Sequence, residues 1–144
     1  MLILLLLTGL LIYISIVDYR QRLISNILVF FVALLCCMLS IEQSWALHAS
    51  AYSAMLLSAG LVLFHLGWVG GGDIKLIAAL SLAVAPAFLP AAVIAMLLVG
   101  GVLAAAYWVK YRWWQRGKPD SGLPYGIAIC AGFYPLIVLS SYYP

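Results

Sequence analysis

Two of the four acidic residues in this 144-residue chain stand at the ends of long apolar runs, where paired carboxyl groups could do chemistry. Asp18 follows the first run, and Asp73 precedes a later run, directly after three consecutive glycines. Two carboxyl groups held close together cannot both ionise, so they share one proton. One can then act as a general base on a water while the other donates a hydrogen bond to a carbonyl oxygen. This is the chemistry of peptide hydrolysis without a covalent intermediate.

A structural alternative exists for Asp73, which could simply cap a helix. A carboxylate at an N-cap accepts hydrogen bonds from the exposed N–H groups of the first turn. The glycines Gly70, Gly71 and Gly72 argue for more than capping, because glycine loses the most backbone entropy on ordering. They make sense where another backbone must come close. The other two acids, Glu42 and Asp120, are expected to be solvated loop residues.

Other catalytic chemistries have little support in the sequence. Cys36, Cys37 and Cys130 form no CxxC pair, so neither a structural zinc site nor a redox motif is expected. His48 and His65 stand alone, and no HExxH motif occurs. His65 lies one to two turns before the glycines, and either a functional or a packing role is open to it. We predict no metal and no cofactor.

The composition indicates that lipid is the solvent for most of the surface. Hydrophobic residues make up 67% of the chain and charged residues 8%, whereas soluble chains carry about 25% charged residues. One membrane helix takes ~20 apolar residues. We therefore predict an all-α polytopic membrane protein of about six transmembrane helices, forming a single domain over residues 1–144. The predicted helices are Leu2–Val17, Ile27–Ile41, Ser50–Trp68, Ile74–Ala85, Ala91–Val109 and Pro124–Ser140.

The basic residues predict how these helices are oriented. With six helices, all seven Lys and Arg residues fall on one side, opposite both termini: Arg20, Arg22, Lys75, Lys110, Arg112, Arg116 and Lys118. Cytoplasmic loops carry an excess of Lys and Arg, so this side is predicted to be cytoplasmic and both termini extracytoplasmic. Asp18 and Asp73 then share the cytoplasmic boundary. Small residues also recur four apart, a spacing that suits either packing within the bundle or dimerisation: Gly100 with Ala104, Gly101 with Ala105, and Ala128 with Gly132.

Three stretches of the chain resemble the type IV prepilin peptidases, the GxGD membrane aspartic proteases, in their short Tad/Flp-type form. Residues 18–26 (DYRQRLISN) resemble the family's D-x-R-x-R-x-I-P-N segment, with Ser25 in place of the proline. Residues 70–76 (GGGDIKL) resemble the GxGD-x-K segment, and residues 123–126 (LPYG) resemble the entry to the last helix. The resemblance covers essentially the whole chain.

This resemblance implies an aspartic endopeptidase that cleaves prepilin and pseudopilin leaders at the cytoplasmic face of the bacterial inner membrane. Asp18 and Asp73 would be the catalytic residues. The residues implied to bind substrate or shape the site are Gly70, Gly71, Gly72, Lys75, Arg20, Arg22, Asn26, Pro124, Tyr125 and Gly126. The chain has no room for the cytoplasmic domain of larger members, so cleavage without methylation is expected. The expected partners are pilin precursors and membrane lipids, with no nucleic acid and with the oligomeric state left open.

Two further expectations concern the aspartates and the rival functions. A helix dipole favours negative charge at the start of a helix and disfavours negative charge at the end. Asp73 is therefore expected to be the more ionised aspartate, although Arg20 and Arg22 would oppose this by stabilising charge on Asp18.

The main alternative function is a small transporter or channel, but such proteins usually place ionisable groups near the bilayer midplane. A non-enzymatic assembly subunit and a signal-peptide-peptidase-like enzyme are further alternatives.

Overall fold

The computed structural model describes residues 1–113 and 123–142, and the regular structure in these ranges is helical. The helices are α1 (Leu2–Gln21), α2 (Asn26–Glu42), α3 (Ala46–His65), α4 (Gly71–Ser81), α5 (Leu89–Trp113) and α6 (Tyr125–Tyr142). A 3₁₀ turn at Pro86–Phe88 leads into α5. Six α-helices and no strand in the described ranges confirm the predicted fold class.

Four of the helical stretches are long and apolar enough to cross a membrane: α1, α3, α6 and Pro86–Lys110. Helix α2 is apolar but has only 17 residues. Together these helices confirm a polytopic membrane protein. Helix α4 has 11 residues and is therefore ~16 Å long at 1.5 Å per residue. That is well short of a hydrocarbon core of ~30 Å, so α4 does not cross the membrane by itself.

The end of α4 differs from the predicted helix Ile74–Ala85. The helix stops at Ser81, and Ala85 adopts an extended conformation with φ −58° and ψ 140°. Ala85 precedes Pro86, whose ring disfavours the helical region for the residue before it. The Ala85 N–H is instead satisfied by Ser140 Oγ of α6 at 3.0 Å. The proline therefore ends α4 about a turn earlier than the apolar pattern indicates.

Helix α4 lies inside the bundle, packed against α2, α3 and α6. Its buried residues surround most of its circumference: Ile74, Leu76, Ala78, Ala79, Leu80 and Ser81. A helix that is apolar all round belongs in a core rather than on a surface. The carbonyl of Ala78 also accepts a hydrogen bond from Ser53 Oγ of α3 at 2.7 Å. This packing gives the first turn of α4, which carries Asp73, a fixed place at one end of the bundle.

The ends of the helices gather at two opposite ends of the bundle, in the alternation predicted from the sequence. Met1, Glu42 and Tyr142 line one small cavity at the end opposite Asp73. The Asp73 end holds the C-terminal part of α1 and the starts of α2, α4 and α6, which contact one another there. Two of the basic residues predicted for this side, Arg116 and Lys118, lie outside the described residues.

Candidate active site

Asp18 lies in the last turn of α1, and its carboxylate packs against the first turn of α6. The residue is 5% exposed, and its Oδ2 accepts a hydrogen bond from the Gly126 N–H at 2.8 Å. Helix α1 continues past the predicted end at Val17 to Gln21. Arg22 then terminates the helix in the left-handed conformation, with φ 54° and its N–H bonded to the Asp18 carbonyl at 2.9 Å. The Asp18 carboxylate therefore sits at the positive end of the α6 dipole.

Asp73 lies inside the first turn of α4, and Gly70 is the N-cap residue. The interpretation of Asp73 as an N-cap is therefore wrong. The carboxylate lies over Gly70 instead, because a Cβ added at Gly70 would be 3.0 Å from Asp73 Oδ2. That distance is shorter than ordinary contacts between non-bonded atoms, which are roughly 3.5–4.0 Å for carbon pairs. Gly70 thus leaves open the space that the carboxylate occupies.

A cavity of about 540 Å³ opens beside Asp73, between α3, α4, α5 and the start of α6. Its walls are mostly apolar, with contributions from Leu56, Leu63, Ile77, Val93, Met96 and Leu97. Asp73 is the acidic residue among the lining residues, and Trp68 and Tyr125 add polar edges. A mainly apolar cavity with a few polar groups is the usual form of a ligand site. The Asp73 carboxylate is therefore placed to act on a molecule bound there.

The electrostatics of Asp73 show that the two carboxyl groups interact. Burial and, to a smaller extent, the negative charge of Asp18 raise the pKa of Asp73 from 3.8 to about 6. Burial does so because a poorly solvated site disfavours the charged form. The geometry agrees with this interaction, because Asp18 bonds to the Gly126 N–H and the adjacent Tyr125 lines the Asp73 cavity. The structure thus brings together the two acids that the sequence singled out, although they are far apart along the chain.

Ile24 is a residue that the sequence analysis did not select, and it lies between the two aspartate-bearing segments. A Cβ added at Gly72 would be 3.3 Å from Ile24 Cβ and 3.8 Å from the Ile24 carbonyl oxygen. A Cβ added at Gly126 would be 3.2 Å from Ile24 Cδ1. The loop between α1 and α2 therefore packs against the starts of both α4 and α6. The glycine run indicated that some backbone approaches closely, but nothing in the sequence pointed to Ile24.

A side-chain hydrogen bond joins two more of the predicted site residues. Lys75 Nζ donates to Asn26 Oδ1 at 3.0 Å, which links the start of α4 to the start of α2. Both residues are exposed at this end of the bundle. The two arginines differ in position. Arg22 interacts electrostatically with the Asp18 carboxylate, whereas Arg20 is exposed and lines a separate groove between α1 and α6.

The segment at the start of α6 connects the two sides of the site. Pro124 is buried, Tyr125 lines the Asp73 cavity, and Gly126 contacts Asp18. Gly100 of α5 provides the space for Tyr125, because a Cβ at Gly100 would lie 2.5 Å from the Tyr125 hydroxyl oxygen. Gly100 carried only a helix-packing signal in the sequence, so its relation to the site was missed.

Two other residues lie at the edge of the site or away from it. His65 is exposed at the end of α3 and is not among the residues lining the Asp73 cavity. Its ring contacts that of Phe64, with the ring centroids 6.2 Å apart. Gly71 packs against the same Phe64, at 3.4 Å from a built Cβ. The roles of the predicted site residues stay predictions, but Asp18, Asp73, Gly70, Gly72, Tyr125 and Gly126 share one neighbourhood.

The fold and the site define a polytopic helical membrane protein with two interacting carboxyl groups at one end of its bundle. Comparison with family models then identifies the family. The chain belongs to the type IV leader peptidase family, whose model matches residues 5–109. The matched region includes Asp18, the glycine run and Asp73, and it ends before Tyr125 and Gly126. The protein is accordingly a membrane-embedded peptidase of this family. No curated protein and no solved structure matches the chain.

Proposed function

We propose that the protein is an aspartic endopeptidase with Asp18 and Asp73 as its catalytic pair. The observation that supports this proposal is that both acids lie next to the start of α6. Asp18 bonds to the Gly126 N–H, while the preceding residue, Tyr125, lines the Asp73 cavity. Two carboxyl groups that lie close together can divide the roles of general base and general acid around one water.

The proposed substrates are prepilins and pseudopilins, whose leaders would be removed during assembly of a Tad/Flp-type pilus. Support comes from membership of the type IV leader peptidase family and from the apolar cavity beside Asp73. An apolar segment of the precursor would occupy this cavity and present its peptide bond to the pair. The basic residues at this end, including Arg22 and Lys75, would repel a basic leader, so we place recognition in the apolar segment.

The proposed location is the inner membrane, with the carboxyl pair at its cytoplasmic face. The basic residues Arg20, Arg22, Lys75 and Lys110 support this orientation through the positive-inside rule. We also propose that residues 1–144 act as a single peptidase domain. Mass spectrometry of the mature pilin tests a related point, since we expect cleavage without methylation of the new N-terminus.

Processing of a pilin precursor in cells tests the proposed function. The chain would be co-expressed with the precursor as wild type, Asp18→Ala, Asp73→Ala and Glu42→Ala. Glu42 is a matched control because it is an acid at the opposite end of the bundle. We expect processing to stop in both aspartate variants and to continue in Glu42→Ala, at equal amounts of protein in the membrane. Processing that persists in either aspartate variant would rule out the pair and reopen the transporter alternative.

A further inference from the structure

The two aspartates differ in the groups that surround them. The Asp18 carboxylate accepts a buried hydrogen bond from the first turn of α6, at 2.8 Å from the Gly126 nitrogen. The N–H groups of a first turn lack partners within their own helix and therefore favour an anion. Among the residues that the structure describes, no donor lies within hydrogen-bond distance of the Asp73 carboxylate. Only one of the two acids thus has a donor that stabilises its charge.

The charged and titratable groups near the two acids also differ. Arg22 interacts electrostatically with Asp18, and the Cys130 thiol of α6 is the titratable neighbour of Asp18 from the other side. Near Asp73, α6 contributes Tyr125, which lines the same cavity, and α1 contributes the negative charge of Asp18. The ammonium group of Lys75 is bonded to Asn26 Oδ1.

We propose that Asp18 is the ionised member of the pair and the general base, and that Asp73 is the protonated member and the general acid. This assignment rests on the proposed function. It reverses the expectation from the sequence that Asp73 is the more ionised aspartate. That expectation considered only the helix that carries each acid, and Asp18 lies at the end of its own helix. The start of α6 is what reverses it, because this helix supplies an N–H to Asp18 from a position 108 residues away. The raised pKa of Asp73, about 6, keeps this carboxyl group protonated below about pH 6.

The assignment gives a balanced sequence of proton transfers. The water oxygen bonds to the carbonyl carbon, the Asp18 carboxylate takes the water proton, and Asp73 gives its proton to the carbonyl oxygen. The resulting gem-diol then collapses. As the C–N bond breaks, Asp18 returns its proton to the leaving amine, while Asp73 regains a proton from a hydroxyl of the gem-diol. Both acids end in their starting states, and no covalent bond to the enzyme forms.

Infrared difference spectroscopy of the purified full chain, without substrate, tests which acid holds the proton. Wild type, Asp18→Asn and Asp73→Asn would be compared between H₂O and D₂O, at a pH below the pKa of Asp73 and above the ordinary aspartate value. We expect the band of a protonated carboxyl group in wild type and in Asp18→Asn, and its loss in Asp73→Asn. A band that survives in Asp73→Asn but is lost in Asp18→Asn would overturn the assignment.

A second pair of variants tests Gly126 as a positioning residue. Gly126→Ala keeps the backbone N–H, and Gly126→Pro removes it at a first-turn position where proline is tolerated. Both place a Cβ near Asp18 Oδ2, at 2.8 Å in the built geometry, so the effect of that carbon is matched, and only proline replaces the N–H donor, with its ring Cδ. We expect the acid limb of the pH–rate profile to lie about one pH unit higher in Gly126→Pro than in Gly126→Ala. Identical profiles would overturn the role given to this N–H.

The two kinds of failure are distinguishable. If both aspartates are needed for processing but the spectra show the proton on Asp18, the assignment fails and the proposed function stands. If either aspartate variant still processes the precursor, the proposed function fails whatever the spectra show. If the Gly126 variants are inactive, the infrared experiment can still measure their protonation, because it needs no turnover. The expected spectrum of Gly126→Pro is a protonated-carboxyl band that is stronger than that of Gly126→Ala, and equal bands would count against the N–H.

Discussion

Adding one methyl group at Gly100 should disturb the site from a neighbouring helix. A Cβ at this position would lie 2.5 Å from the Tyr125 hydroxyl oxygen and 2.7 Å from Cζ. Non-bonded carbon atoms prefer separations of roughly 3.5–4.0 Å, so the Tyr125 ring must move by about 1 Å. Tyr125 lines the cavity beside Asp73, and the ring therefore moves within the proposed substrate site.

The magnitude follows from two known costs. Misplacing a group by about 1 Å can slow an enzyme about 100-fold, and overpacking a core costs about 1–3 kcal/mol of stability. We expect Gly100→Ala to cleave a pilin precursor 10- to 100-fold more slowly than wild type, as roughly bounded by that 1 Å displacement. The assay is single-turnover cleavage in proteoliposomes, with thermal unfolding of the same preparation measured alongside.

The next residue provides the control. A Cβ at Gly101 would meet nothing within 4 Å, and Gly101→Ala gains the same helix propensity, about 1 kcal/mol. We expect Gly101→Ala to cleave at the wild-type rate. Combining Gly100→Ala with Tyr125→Phe removes the atom closest to the new methyl and should restore part of the loss relative to Tyr125→Phe alone. Equal rates and equal melting temperatures in Gly100→Ala and Gly101→Ala would refute the reasoning.

Three further predictions concern the site and its frame. Ile24→Ala should slow cleavage at least about tenfold, because it leaves a gap between the starts of α4 and α6. Leu23→Ala, at the exposed neighbouring position, should leave the rate unchanged. Equal rates in the two variants would contradict this prediction. Gly132→Ala should lower the melting temperature, since its Cβ would lie 2.4 Å from the Met96 backbone; an unchanged melting temperature would contradict it. Asp73→Asn should be more heat-stable than wild type above about pH 6, because folding then buries no charge. The gap should shrink as the pH falls below about 6 and should vanish below 3.8, where Asp73 is protonated in both the folded and the unfolded state. A gap independent of pH would contradict this prediction.

The parts of the fold that depend on composition were predictable. Long apolar runs with few charges can only be satisfied by helices in lipid, and the runs gave six helices with boundaries within a few residues. The end of α4 was not predictable from hydropathy, because residues 82–85 are apolar but precede Pro86. The position of α4 inside the bundle was also not predictable, since an apolar run has the same sequence pattern whether lipid or protein surrounds it.

The site was predictable as a set of residue types rather than as a geometry. Asp18 and Asp73 could be selected because both adjoin apolar runs at the same predicted membrane boundary. The glycine run predicted a close approach, but the partner, Ile24, is an ordinary apolar residue. The ionisation of Asp18 could not be deduced from its own helix, because the decisive N–H belongs to Gly126. Contacts between distant segments supplied what local patterns lacked.

The most direct test of the central claim is a comparison of Asp18→Asn, Asp73→Asn and the double variant in single-turnover cleavage of a pilin precursor. Residues that act as one unit show strongly non-additive losses when they are removed together. The account predicts that each single variant loses processing and that the double variant is no slower than either. Processing that persists in one single variant, or losses that multiply in the double variant, would show that the two carboxyl groups do not act as a pair.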